Sequence, residues 1–316
     1  MLNDNERIRY TRQLLLDKWG EETQEKLKNT TIFVGGAGGS GSPIITQLAL
    51  LGIGHIKICD FDEVDLSNLN RQFIHCVSED SRIDVNKAVS AKKTVHNINP
   101  NVKVTIFTEK ITDENVDEMV GDADVIMDCV DKIQAKFILS KAALRKEIPH
   151  LFYGMMDINS FVCVFNPPET PCFHCLYDYD KVMQMKELSE KSENASTPVC
   201  CSPVFLSAGF AVTELLKVLY DIGEPAYNKY YLFLQKGNER VIKSDGYMGM
   251  RFWITRYFEK ISMDQGYDWD KGWRGNFIEE LDIAPNPDCS YCSNLGQEDV
   301  EEEEEEVKVS FKFKKL

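Results

Sequence analysis

The run Gly35-Gly36-Ala37-Gly38-Gly39-Ser40-Gly41 limits what this chain can fold into more than any other stretch. A short β-rich run, Thr30-Thr31-Ile32-Phe33-Val34, enters it, and an apolar helical pattern, Ile44 to Leu51, leaves it. Without Cβ atoms in the way, the backbone N–H groups at the start of the helix lie open to an anion. The helix dipole favours negative charge at the same place. Strand, glycine turn and helix together form the first βα turn of a doubly wound α/β fold. A glycine run alone does not say which phosphate ligand is meant.

The following segments extend the pattern. A second apolar strand, His55-Ile56-Lys57-Ile58-Cys59, ends in Asp60-Phe61-Asp62. An acid about 20 residues beyond the glycines, at a strand tip, is placed to accept hydrogen bonds from a ribose, in NAD and ATP alike. Further strands are expected at 102–107, 124–129, 150–153 and 160–165. Helices are expected at 85–98, from Thr112 with Asp113 and Glu114 in its first turn, and over Ile133 to Arg145. The alternation predicts an α/β class: a Rossmann-like, mostly parallel sheet with helices on both faces. Residues 5–28 read as one amphipathic helix carrying Arg7, Arg9 and Arg12, on residue type alone a solvated basic face.

Three charged positions narrow the ligand. Leu66-Ser67-Asn68-Leu69-Asn70-Arg71-Gln72-Phe73 brings a guanidinium, a rigid fork of donors that a triphosphate uses and a dehydrogenase does not need. Lys87 opens the next helix, as a phosphate contact or an ordinary surface lysine. Asp131 follows the fourth strand, as a Mg²⁺ ligand or as the N-cap of the helix after it.

The balance of 36 Lys and Arg against 51 Asp and Glu gives a net charge of −15. That argues against nucleic acid as a partner, since its phosphates would be repelled. It suits a cytoplasmic enzyme or one whose partner has a basic face. Met1 to Tyr10 is charged without an apolar core, so no signal peptide is expected. No run is expected to reach the roughly 18 apolar residues that span a bilayer.

The ten cysteines include two knuckles, Cys172-Phe173-His174-Cys175 and Cys289-Ser290-Tyr291-Cys292. Two such pairs make a closed four-thiolate Zn²⁺ site, structural because no ligand position stays open. It would staple the C-terminal segment onto the body. His174 is left out, since four thiolates fill the shell. Residues 178–203 read as a mobile crossover loop ending in Pro198-Val199-Cys200-Cys201-Ser202-Pro203. An apolar helix, Val204 to Leu219, follows. A thiol before a helix N-terminus is favoured as thiolate, so Cys200 or Cys201 is a nucleophile candidate, against two small buried residues. Residues 236–283 are rich in aromatics and read as an insertion. Residues 297–316 form an acidic, flexible tail whose last ten residues could pair as an edge strand.

Taken together, the motifs resemble the ThiF/MoeB/HesA family of ubiquitin-activating-enzyme-like adenylyltransferases. The matching residues are Arg9-Tyr10-Thr11-Arg12-Gln13, Gly36 to Gly41, Asp60-Phe61-Asp62, Ser67 to Gln72, Lys87, Asp128-Cys129-Val130-Asp131 and the two knuckles with Asn286-Pro287 before the second. The resemblance implies a single adenylation domain over residues 1–296, in a homodimeric or pseudo-dimeric assembly with a homodimer favoured, that acts with Mg²⁺ and ATP. It implies that Gly36, Gly38, Gly39, Gly41, Asp60 and Asp62 bind the nucleotide, with Asp60 on the ribose. Asn68, Arg71, Gln72 and Lys87 would hold phosphates and Asp131 the Mg²⁺. Arg12 would reach across the dimer to the triphosphate. The implied substrate is the C-terminal carboxylate, after Gly-Gly, of a small ubiquitin-fold or sulfur-carrier protein. The alternative is a short peptide or small acid. Val199-Cys200-Cys201-Ser202 is similar to the region around the catalytic Cys of the ubiquitin-fold-modifier-activating type, which favours Cys200 for a thioester or persulfide step.

Overall fold

The computed structural model describes residues 1–76, 83–156, 159–177, 179, 183, 199–227, 229–234, 277–282, 286–287 and 289–292. Along the chain the strands are β1 (Thr31–Gly35), β2 (His55–Cys59), β3 (Lys103–Phe107), β4 (Val125–Asp128), β5 (His150–Met156), β6 (Asn159–Phe165), β7 (Lys229–Leu234) and β8 (Phe277–Asp282). The helices are α1 (Asp4–Arg9), α2 (Thr11–Leu14), α3 (Gly20–Asn29), α4 (Gly41–Leu51), α5 (Lys87–Ile98), α6 (Val116–Val120), α7 (Ile133–Lys146), α8 (Phe173–Leu176) and α9 (Cys201–Tyr220).

One sheet holds all eight strands in the order β3-β2-β1-β4-β5-β6-β7-β8. From β3 to β5 every neighbouring pair is parallel. From β5 to β8 every pair is antiparallel. Ile32, Phe33 and Val34 of β1 are fully buried, as a strand covered on both faces requires. On one face Val34, Ile56, Ile58 and Met127 pack with residues of α4, α5 and α9; on the other, Phe33 and Ile126 pack with α6 and α7. The chain runs outward from β1 to β2 and β3, then returns so that β4 lies on the other side of β1, in parallel register with Gly35 opposite Asp128. Neighbouring strand tips thus diverge there, at the switch point where open α/β sheets bind ligands.

Three local expectations are corrected. Residues 5–28 do not form one helix: Lys18 and Gly20, both at φ 58°, turn the backbone into the left-handed region between α2 and α3. The helix expected from Thr112 starts at Val116, and Asp117 and Glu118, not Asp113 and Glu114, occupy its first turn. Asp131 is not the N-cap of α7; Lys132 holds that position, without a side-chain cap.

Helix α9 also exceeds expectation, since its 20 residues and mean hydropathy of 1.4 suffice by length and composition to cross a membrane. Here half of that window is buried. Ala208, Ala211, Val212 and Leu215 join the core. Its buried Glu214 accepts from Lys217 Nζ at 2.6 Å and Ala226 N at 2.7 Å, which fits a core helix. The crossover loop apart from 179, 183 and 199–203, the insertion apart from β8, and the tail lie outside the described residues.

Candidate active site and metal centre

Two glycines shape the loop between β1 and α4. Gly36 sits at φ +100°, and a Cβ there would lie 2.6 Å from the Cys129 carbonyl oxygen. A Cβ on Gly41 would run into the carbonyl of Gly36. Both positions therefore need glycine for the loop to fold back between β1 and β4. Ala37 N donates to Asp60 Oδ2 at 2.7 Å, and Ser42 N to Gly38 O at 2.9 Å. The N–H groups of Gly38, Gly39, Ser40 and Gly41 find no acceptor among the described residues. Four open donors at the N-terminus of an 11-residue helix make an anion cradle.

The sequence-predicted acids and cations gather around this cradle. Asp60 also accepts from Asp62 N through Oδ1 at 2.9 Å. Burial raises its carboxyl above the usual range despite those two backbone donors. Lys87 is buried rather than a surface lysine, and its Nζ lies 3.1 Å from Asp62 Oδ2. Its backbone is fixed by Asp62 O, 2.8 Å from Lys87 N. The Arg71 side chain passes 3.7 Å from the Cβ position of Gly39, and Gln72 Nε2 lies 3.6 Å from that of Gly38. Gln72 is 4 % exposed and its Oε1 has no partner among the described residues. Asn68 is partly engaged, because its Oδ1 accepts from Asp65 N at 3.2 Å and caps a short 3₁₀ turn.

Asp131 follows β4 and is exposed, with Lys132 Nζ 3.7 Å away. Behind it lies a buried cluster that the motifs did not reveal. Asp128 is fully buried; its Oδ1 accepts from Lys136 Nζ at 3.0 Å and from Val130 N at 3.2 Å, its Oδ2 from His150 at 3.2 Å. His75 was missed too: one ring nitrogen meets Ala37 O and the other Ser90 Oγ, each at 2.9 Å. No residue spacing announces either set, because their members come from separate strands and helices.

Arg12 is not brought to the cradle of its own chain. It is exposed on α2, whose Gln13 Nε2 bonds Leu51 O at the far end of α4. Eleven helical residues place that end about 16 Å from the glycines.

The thiols divide by environment. Sγ of Cys172 lies 3.8 Å from that of Cys175 and 3.7 Å from that of Cys289, and Cys175 Sγ lies 3.4 Å from Cys292 Sγ. All four sulfurs fall within 4.8 Å of one another. A tetrahedral Zn²⁺ with bonds of about 2.3 Å needs sulfur separations of about 3.8 Å, so the donor set fits a closed zinc centre. His174 stacks on Tyr291 at 3.8 Å instead of entering the cluster. Burial pushes the Cys59 and Cys129 thiols up to about 12, which removes them as nucleophiles. Cys200 and Cys201 are exposed, not buried, at the N-cap and first residue of α9. Cys76 is a third exposed thiol that sequence reasoning passed over.

The ThiF family model matches residues 10–244, which contain the glycine cradle, Asp60, Arg71, Lys87, Asp131 and the first knuckle. The chain belongs to the ThiF family. The sulfur carrier protein ThiS adenylyltransferase of Bacillus subtilis is 32 % identical over 233 residues, 73 % of this chain and 67 % of that protein. The molybdopterin-synthase adenylyltransferase of Haemophilus influenzae is 30 % identical over 224 residues, 71 % of this chain and 88 % of that protein. The adenylyltransferase and sulfurtransferase MOCS3 of Culex quinquefasciatus is 33 % identical over 176 residues, and this ThiF-family chain spans only 40 % of its length. Escherichia coli MccB superposes with a TM-score of 0.67 over 97 % of this chain and 77 % of its own, at 21 % identity, which establishes a shared fold.

Proposed function

We propose that this chain adenylates the C-terminal carboxylate of a small ubiquitin-fold or sulfur-carrier protein ending in Gly-Gly. One observation carries the reading: four unused N–H groups of the glycine loop sit at the β1/β4 switch point beside Arg71 and the buried Lys87, in a chain of the ThiF family. The named activities of the Bacillus and Haemophilus relatives support it. A carboxylate is already ionised at neutral pH, so the attack needs no general base. It needs cations, because two anions must meet. Asp60 binds the ribose, and the loop N–H groups with Arg71, Gln72 and Lys87 hold the triphosphate. The carboxylate oxygen then bonds the α-phosphorus and pyrophosphate departs with the electrons of the broken P–O bond. Asp131 would hold Mg²⁺, which neutralises phosphate charge. Arg12 serves the site of the second protomer in a homodimer, which fits its distance from its own cradle.

In the next step the Cys200 thiolate attacks the acyl carbonyl, a thioester forms and AMP leaves. Cys200 is exposed at the N-cap of α9, and Cys201 is the second choice. The zinc centre closes the C-terminal segment onto the body, and the enzyme works in the cytoplasm. A second reading, adenylation of a short peptide, draws on the MccB fold, solved with MccA, and on the aromatic segment 236–283. ATP–pyrophosphate exchange separates the two. Exchange that depends on a Gly-Gly-ended carrier is expected. Exchange with short peptides alone would transfer the assignment to the second reading.

A further inference from the structure

Ala37 is fully buried in the glycine loop, and its backbone is bonded on both sides. Its N–H donates to Asp60 Oδ2 at 2.7 Å, and its carbonyl oxygen lies 2.9 Å from Nε2 of His75. A carbonyl oxygen only accepts, so Nε2 carries a proton and donates. The other ring nitrogen, Nδ1, lies 2.9 Å from Ser90 Oγ, a hydroxyl that serves as donor or acceptor. His75 is itself held in place. It is buried at the end of a short 3₁₀ turn, Phe73–His75, and Thr94 Oγ1 donates to the preceding carbonyl, Ile74 O, at 2.6 Å. Ser90 and Thr94 lie on α5, the helix that Lys87 opens. The imidazole thus links the helix of Lys87 to the glycine loop.

The direction of the Ala37 bond matters for the next residue. The Ala37 carbonyl and the Gly38 N–H belong to one planar trans peptide and point opposite ways. With the carbonyl turned inward to a buried histidine, the Gly38 N–H is turned away from it, and it is one of the four open donors of the cradle. A glycine at 38 lets this peptide flip at little steric cost, so the hydrogen bond selects its orientation. We infer that His75 is a positioning residue: by holding the Ala37 carbonyl it aims the Gly38 N–H at the phosphates of a bound nucleotide. The inference rests on the nucleotide-binding reading above.

Two amide side chains separate the contacts of the ring. Glutamine places an amide nitrogen near the position of Nε2, and asparagine near that of Nδ1. His75→Gln therefore keeps a donor for Ala37 and gives up Ser90, whereas His75→Asn keeps Ser90 and releases Ala37. Each loses one buried contact, so each should lower the unfolding midpoint of the empty chain. Only His75→Asn should bind Mg·ATP more weakly, about fivefold to tenfold in a titration of the full chain, the scale of one hydrogen bond. His75→Gln and Ser90→Ala should stay within about twofold of wild-type affinity, less than one hydrogen bond is worth. Equal losses in the two amide variants, or wild-type affinity in His75→Asn, overturn the inference and leave nucleotide binding standing. A measurement on the unsubstituted chain covers the case of variants that do not fold. Heteronuclear spectra of the ring nitrogens should show a proton on His75 Nε2, and an unprotonated Nε2 overturns the inference. A wild-type chain that binds no Mg·ATP overturns the nucleotide reading and this one with it.

Discussion

Lys136→Met is the sharpest probe of the buried cluster behind the candidate site. The Lys136 and Asp128 side chains are 4 % and 0 % exposed and lie 3.0 Å apart. Methionine preserves most of the stem's volume and removes the ammonium, so Asp128 is left buried without its cation. Stranding one member of a buried pair costs about 3–5 kcal/mol. Against a total stability of about 5–15 kcal/mol that is a large fraction. The pH dependence identifies the cause. Burial alone pushes the Asp128 carboxyl up, but the Lys136 charge and the His150 bond outweigh it and hold the group below the usual range. In the wild type this stabilisation is present above the unfolded pKa of about 3.9 and is lost as pH falls through the lower folded value. In Lys136→Met burial prevails and the folded pKa rises above the unfolded one. The variant's deficit is then full at neutral pH and shrinks as acid protonates Asp128. Urea unfolding followed by far-ultraviolet circular dichroism at pH 7 and pH 5 measures both quantities. A deficit below about 1 kcal/mol at pH 7, or one equally large at pH 5, refutes the account.

Three further outcomes are expected. Cys175→Ala should abolish stoichiometric zinc, read by metal analysis of the purified chain, and lower the unfolding midpoint, because three thiolates no longer close the shell. Cys200→Ala should eliminate a thiol-reducible adduct with the carrier on non-reducing gels and leave pyrophosphate exchange intact. An adduct that vanishes only in Cys201→Ala moves the nucleophile by one residue, and one that vanishes only in Cys76→Ala moves it to the thiol that sequence reasoning missed. Arg12→Ala and Lys87→Ala chains should each lose pyrophosphate exchange by at least about a hundredfold, the scale of a transition-state cation. Mixed after subunit exchange they should regain about a quarter of wild-type activity, since one of two sites in half the dimers is intact; no recovery refutes a role for Arg12 across a dimer.

The glycine loop, the acid at the tip of β2, the Arg71-Gln72 pair, Lys87 and the two knuckles were legible because each is a local chemical signal. Glycine at 36 and 41 is required by close backbone approach, and Cys pairs at metal-ligand spacing have few other uses. The breaks around Lys18 and Gly20 were not legible, since amphipathic periodicity runs through them and only packing on α4 selects the left-handed turns. The Asp128 cluster and the His75–Ala37 contact were hidden for a related reason. The Lys136–Asp128 and His75–Ala37 partners are 8 and 38 residues apart, and the packing of helices on the sheet brings them together. Sequence by itself determined the class of fold, the closed four-thiolate centre and the candidates for phosphate binding. Tertiary structure decided that β4 lies beside β1, which sets Asp128 opposite Gly35 at the start of the glycine loop. It also decided that Arg12 sits at the wrong end of α4 for its own site and that His75 bonds the glycine loop at Ala37. Local chemistry is written in neighbouring residues, whereas which strand tips diverge, and what then fits between them, is set by the return crossover from β3 to β4.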